Sequence, residues 1–174
     1  MLDLDVIREN WKKYAQEIEG NYKQGIGVIK GTTAATIEKN FKGAQINYKI
    51  YVEALQRTSF VKVKLIPTKQ FKFLIVKKGN VLNSIFSIFK AIMIGGKEVN
   101  LNHKINDVYK IKASSQDIFE KVFDDTSLRS ICEGSIATFS YNKGTISIMS
   151  TSDLCKGDEL LSIDKILCRL IEEL

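Results

Sequence analysis

Across residues 44–54 apolar and polar side chains alternate, with Ile46, Tyr48, Ile50 and Val52 on one side and Asn47, Lys49, Tyr51 and Glu53 on the other. Helical spacing would scatter these groups around an axis. An extended strand collects them into one dry face and one wet face. A second run follows, in which Val61, Val63 and Leu65 alternate with Lys62 and Lys64. After a turn at Pro67-Thr68, residues 71–78 supply another strand. A shorter strand at 35–39 precedes the long one across Asn40-Phe41-Lys42-Gly43. Any fold for this chain must therefore cover one face of an antiparallel sheet.

Helical spacing supplies the cover. Leu4, Ile7, Trp11, Tyr14, Ala15 and Ile18 form a stripe that begins after Asp3 as N-cap and stops at Gly20. Beyond a strand at 108–112, Ser115 caps a helix whose apolar face is Ile118, Phe119, Val122 and Phe123. A short helical turn restarts at Thr126 or Ser127 and ends at Gly134, with Leu128, Ile131 and Cys132 inward. Strands at 136–141 and 145–150 flank Asn142-Lys143-Gly144, read as a three-residue hairpin loop. A last helix starts after Ser162 and carries Ile163, Ile166, Leu167, Leu170 and Leu174. The fold class is α+β: an antiparallel sheet with amphipathic helices packed largely on one face, in the order α-β-β-β-β-(α)-β-α-β-β-α. With 174 residues, 44% of them apolar and 26% charged, one domain spanning 1–174 is expected.

Charge is divided unevenly along this pattern. Residues 21–112 hold 17 Lys and Arg against 4 Asp and Glu, while both flanks are acidic and the whole chain is +6. Between residues 57 and 78 there are seven basic residues and no acid. Lys62, Lys64 and Lys72 fit a stripe on the outward sheet face, and Lys77 and Lys78 extend the anion-binding candidates. The same stripe is also what the solvated side of any half-buried sheet looks like. The basic set is 22 Lys and only 4 Arg, beside 23 Ile and 10 Asn, a bias that an AT-rich genome produces. Arg is the residue suited to forked contacts with phosphates and bases, so its scarcity disfavours nucleic acid as the partner.

The run FKFLIVKKGNVLNSIFSIFKA at 71–91, followed by INDVYKIKASSQDIFEKVFDDTSLRSI at 105–131, resembles a family of uncharacterised bacterial conserved hypothetical proteins, a domain of unknown function. The opening WKKYAQEIEGNY at 11–22 is similar to that family's Trp-bearing first helix, with a glycine and an aromatic after it. Ile105-Asn106 departs from the Phe-Asp often found there. The resemblance implies a fold pattern and brings no activity with it.

Motifs for chemistry are missing where catalysis would need them. His103 is the one histidine, set among Asn102, Lys104 and Asn106 in a loop, and no nucleophile-elbow glycines surround any Ser or Cys. There is no CxxC, HExxH or calcium-loop spacing, so no metal and no cofactor is expected. The glycines of 25–31 follow a helix rather than a strand, which reads as a turn entering the sheet instead of a phosphate cradle. Asp117 complements a helix N-terminus, while Glu120, Asp124 and Asp125 read as solvating the helix exterior. Cys132, Cys155 and Cys168 fit free thiols in a cytoplasmic protein, with Cys155 beside Lys156 the most exposed.

The connector at 81–94 is too short and too interrupted by Asn83, Ser84, Ser87 and Lys90 to span a bilayer as a helix. No other stretch is long enough, and the acidic amino terminus lacks the basic start of an export signal. As a helix, the connector gathers Leu82, Ile85, Phe86, Phe89 and Met93 on one side, either as core or as partner-contact surface. The resulting expectation is a non-enzymatic binding or scaffolding protein that recognises a protein partner or itself. The alternatives are a peripheral binder of anionic lipid or nucleic acid through the lysine-rich face, and an enzyme whose groups converge from distant segments.

Overall fold

The computed structural model describes residues 4–26, 32–53, 56–66, 70–79, 96–99, 101, 105–152, 154 and 158–174. The described elements are α1 (Leu4–Glu17), β1 (Asn21–Gln24), β2 (Thr33–Phe41), β3 (Ala44–Glu53), β4 (Gln56–Lys64), β5 (Phe73–Lys77) and β6 (Lys97–Glu98). They continue with α2 (Ile105–Val108), β7 (Tyr109–Ala113), α3 (Gln116–Val122), α4 (Asp125–Glu133), β8 (Ile136–Asn142), β9 (Thr145–Ser150) and α5 (Glu159–Glu173). The strands form one sheet in the order β1-β2-β3-β4-β9-β8-β5-β7-β6, and every pairing is antiparallel. The α+β class and the antiparallel sheet are as the patterning requires.

Register turns sequence alternation into a core. A row of cross-strand partners runs from Tyr22 through Ile37, Tyr48, Val61, Ile148, Phe139 and Ile75 to Ile111. All but Tyr22 are buried. The helices dock on this face: α1 through Ile7, Trp11 and Ala15, α4 through Leu128 and Ile131, and α5 through Leu160, Ile163, Ile166, Leu167 and Leu170. Phe119 and Phe123 stack at 4.6 Å, and Phe123 meets Phe73 and Phe139 edge-on at 5.1 and 5.5 Å, which locks α3 to β5 and β8. Gly20 ends the first helix where the backbone passes so close to β2 that a Cβ would lie 2.5 Å from Ile37 Cγ2.

Several boundaries differ from the sequence reading. The β2–β3 and β8–β9 hairpins close with two central residues at positive φ, Lys42 (47°) with Gly43 (80°) and Lys143 (46°) with Gly144 (74°). These are the tight mirror-image turns whose twist suits paired strands, so the 142–144 loop is one residue shorter than expected. Asp124, read as a solvating acid, is instead the N-cap of α4 and accepts from Ser127 N at 2.8 Å. The last helix starts at Glu159 and not after Ser162. The elements β1, β6 and α2 were not expected. The connector 81–94, with Leu82, Ile85, Phe86, Phe89 and Met93, lies outside the described residues, as do His103, Cys155 and most of the 25–31 glycine stretch.

Candidate functional site

The outward face of the sheet opens over β3, β4 and β9. Lys62 projects there between Asn47 and Ser147, and Lys64 between Gln45 and Thr145, both lysines exposed. Alternation puts Phe60 on the same face, opposite Lys49 on one strand and Met149 on the other. Phe60 is 39% exposed and meets the Tyr51 ring edge-on, with centroids 5.5 Å apart. Among the described residues, neither Lys49, Lys62 nor Lys64 forms an ion pair. An aromatic pair bordered by exposed lysines results.

The five anion-binding candidates do not converge. Three strand spacings separate β4 from β5, about 14 Å. Lys72 lies just before β5, its backbone pinned by Ser114, whose Oγ accepts from Lys72 N at 3.0 Å and whose N donates back to Lys72 O at 2.9 Å. Lys77 shares the parity of Phe73 and Ile75, which turns it to the helical side and away from Lys62. Lys78 Nζ donates to Asn106 O at 2.5 Å at the opposite end of the strand. Between the two lysine regions the outward face is not open: Leu74, Val76, Thr138 and Ser140 are all buried.

Two polar clusters sit on the helical side, both built on α5. Asp164 accepts from Lys39 Nζ at 2.6 Å and from the Tyr48 hydroxyl at 2.5 Å, with Cys168 Sγ 3.6 Å from the same ammonium. Burial pushes the Tyr48 hydroxyl well above its ordinary value, and the Asp164 carboxylate adds to the shift. Burial opposes the charge on Lys39, yet Asp164 and Cys168 outweigh it and raise the ammonium's pKa. The Cys168 thiol is raised first by burial and then by Asp164, so it is held protonated and is a poor nucleophile.

At the start of α5, buried Glu159 accepts from Ser135 N at 2.5 Å and Ser135 Oγ at 2.6 Å. Ser135 Oγ also meets Ser150 Oγ at 2.5 Å and Ser152 Oγ. Ser59 Oγ closes the cluster on Ser152 O at 2.7 Å. The Ser135 hydroxyl and its backbone amide thus share one carboxylate oxygen of Glu159. What this arrangement does chemically is tie the start of β8 and the end of β9 to α5. The described cysteines, Cys132 and Cys168, are free. Among the described residues no group of three His, Cys, Asp or Glu is placed to hold a metal, and no helix is long and apolar enough to cross a membrane.

Alternation puts Lys62, Lys64 and Tyr51 on the outward face, and it carries the same signal for Phe60, which sequence reasoning did not single out. No protein-family model matches the chain, and no curated protein matches it by sequence. Among solved structures, the fold is similar to the crystal structure of the mycobacterial trehalose monomycolate transport factor A, TtfA. That match is 10% identical, with a TM-score of 0.54 over 97% of this chain and 96% of that one, and what the two share is the fold.

Proposed function

We propose that this chain is a non-enzymatic binding protein that recognises a protein partner, or a second copy of itself, through the outward face of β3, β4 and β9. The observation that supports this reading is the Phe60 and Tyr51 pair, solvent-facing and framed by Lys49, Lys62 and Lys64 without paired acids among the described residues. Aromatic anchors within a charged rim are the usual composition of a recognition surface. The complementary partner carries an apolar centre within an acidic border. The polar clusters under α5 serve the fold, and a transport factor among the structures of similar fold accords with binding rather than turnover. The same reading assigns the protein to the cytoplasm, where its thiols stay reduced.

A photo-crosslinking residue in place of Phe60 tests this in the cells that make the protein. One discrete adduct is expected, and it should disappear when Lys49 and Lys62 are both reversed to Glu. An adduct pattern untouched by that reversal would remove the proposal.

A further inference from the structure

The turns at one end of the sheet lie side by side. Gln45 pairs with Lys64 and Lys64 with Thr145, so the end of β4 sits between the β2–β3 turn and the β8–β9 turn. Leu65 N donates to Gly144 O at 2.7 Å, which fixes that junction. Across β8, Tyr141 pairs with Phe73, which places Lys72 at the same end, and Lys97 pairs with Ala113 beyond it. The end thus carries Lys42, Lys64, Lys72, Lys97 and Lys143 in an arc of neighbouring strand termini. Of these, only Lys42 has an ion pair among the described residues, to Glu172 at 2.9 Å. Glu98 on β6, Asp117 at the start of α3 and Glu173 beside Glu172 at the end of α5 are further acids near this end.

Amid the lysines stands Ile66, 92% exposed at the tip beyond β4. A β-branched aliphatic group so open to water has no role in the core. A projecting apolar tip within a lysine border matches the two attractions a peripheral protein has for a negatively charged bilayer: burial of the tip at the acyl boundary and Coulomb attraction of the border to headgroups. A nucleic acid would call for aromatic stacking platforms or forked Arg contacts, and Ile66 offers neither.

We infer that this end of the sheet docks on an anionic lipid surface, with Ile66 inserted and Lys64, Lys72 and Lys143 on the headgroups. The footprint shares Lys64 with the Phe60 face, but Ile66, Lys72 and Lys143 lie outside that face, so variants at these three positions test this inference without touching the other assignment. The test is co-sedimentation of the full chain with vesicles of about three parts phosphatidylcholine to one of phosphatidylserine, against phosphatidylcholine alone. Expected are binding to the anionic vesicles only, weakening with added salt, and a loss of at least about tenfold in partitioning for the combined Lys72→Glu and Lys143→Glu variant. Ile66→Ser should weaken vesicle binding while leaving retention on heparin unchanged, and Phe60→Ala should change neither. Thermal melts within a degree or so of the parent keep the variants comparable. No binding to anionic vesicles at low salt would overturn the inference. So would vesicle binding indifferent to Ile66→Ser and to charge reversal, or duplex DNA binding tighter than vesicle binding.

Discussion

Lys39 Nζ and Asp164 Oδ2 lie 2.6 Å apart although 125 positions separate them in the chain. Both side chains are nearly shielded from water, at 12% and 10% exposure, and Tyr48 donates to the other carboxylate oxygen. Such a pair fixes how α5 lies across β2 and β3, because a shift along the sheet would leave a desolvated charge without a partner.

Removing one member should therefore cost more than removing both. Asp164→Leu alone is expected to destabilise by about 3 kcal/mol, since it strands the Lys39 ammonium, whereas Lys39→Met with Asp164→Leu should cost less, its remaining loss being that of the buried Tyr48 hydroxyl left without its acceptor. Urea denaturation of the two single variants and the double variant measures this directly. A double variant that loses the sum of the two single losses would mean that the pair carries no coupling.

Alkaline pH should unfold the protein in a defined window. Tyr48 and Tyr109 are both raised above the ordinary 10.0, in each case chiefly by burial. Groups raised in the folded state contribute stability that is intact below their unfolded value and lost as pH climbs toward the folded one. Lys39 adds to the same limb from its ordinary 10.5. Melting temperature is expected to hold up to about pH 10 and then fall, with phenolate absorbance from the buried tyrosines rising only as the fold is lost. Free titration of all six tyrosines in folded protein would contradict this.

On the acid side Asp124 is the group to watch. Hydrogen bonds from the backbone and side chain of Ser127, with Arg169 adding to them, lower its carboxyl from 3.8 to about 2. A depressed carboxyl stabilises the fold above its unfolded value, and that contribution disappears as pH falls from about 4 to about 2. Asp124→Ala should cost about 1 kcal/mol at neutral pH through the lost helix cap. Asp124→Asn should keep most of the cap and flatten that part of the acid limb, as melts between pH 5 and pH 2 would record.

Gly134 leaves room for Glu159. A Cβ there would sit 2.9 Å from Glu159 Oε1 and 3.0 Å from Ser130 O. Gly134→Ala is expected to push the carboxylate off Ser135 and to destabilise by about 1–3 kcal/mol, the cost of a buried polar group losing its partner. In a Glu159→Ala background the same change should cost much less, a coupling that a double-mutant cycle reads.

The chain displayed its sheet more openly than its joints. Strand β3 was legible because Ile46, Tyr48 and Ile50 repeat at period two over a long run, and the Ser115 cap was legible because a short polar residue precedes an apolar helical face. Asn21–Gln24 is a strand only because β2 holds its backbone, and its four residues carry no alternation of burial. The start of α5 was hidden because Asp158 takes a left-handed conformation and makes no side-chain capping bond. Glu159 and Asp164 resemble the solvent-facing acids of any amphipathic helix, and nothing local to them names Ser135, Lys39 or Tyr48 as partners. Lys62 and Lys64 could be placed on a face from alternation alone, but Lys77 could not be grouped correctly before the parity of β5 was known.

In the sheet, β9 and β8 lie between β4 and β5, which are consecutive among the strands in sequence. A ribosome makes the two outer blocks first and the wedge that joins them only when residues 136–150 emerge. Until then β4 and β5 each present a naked edge of unpaired amides, the kind of template on which nascent chains stick to one another. Biogenesis of this protein is thus a waiting problem: its last hairpin is a keystone delivered late, and synthesis stalled before that hairpin leaves two half-sheets with nothing to bridge them.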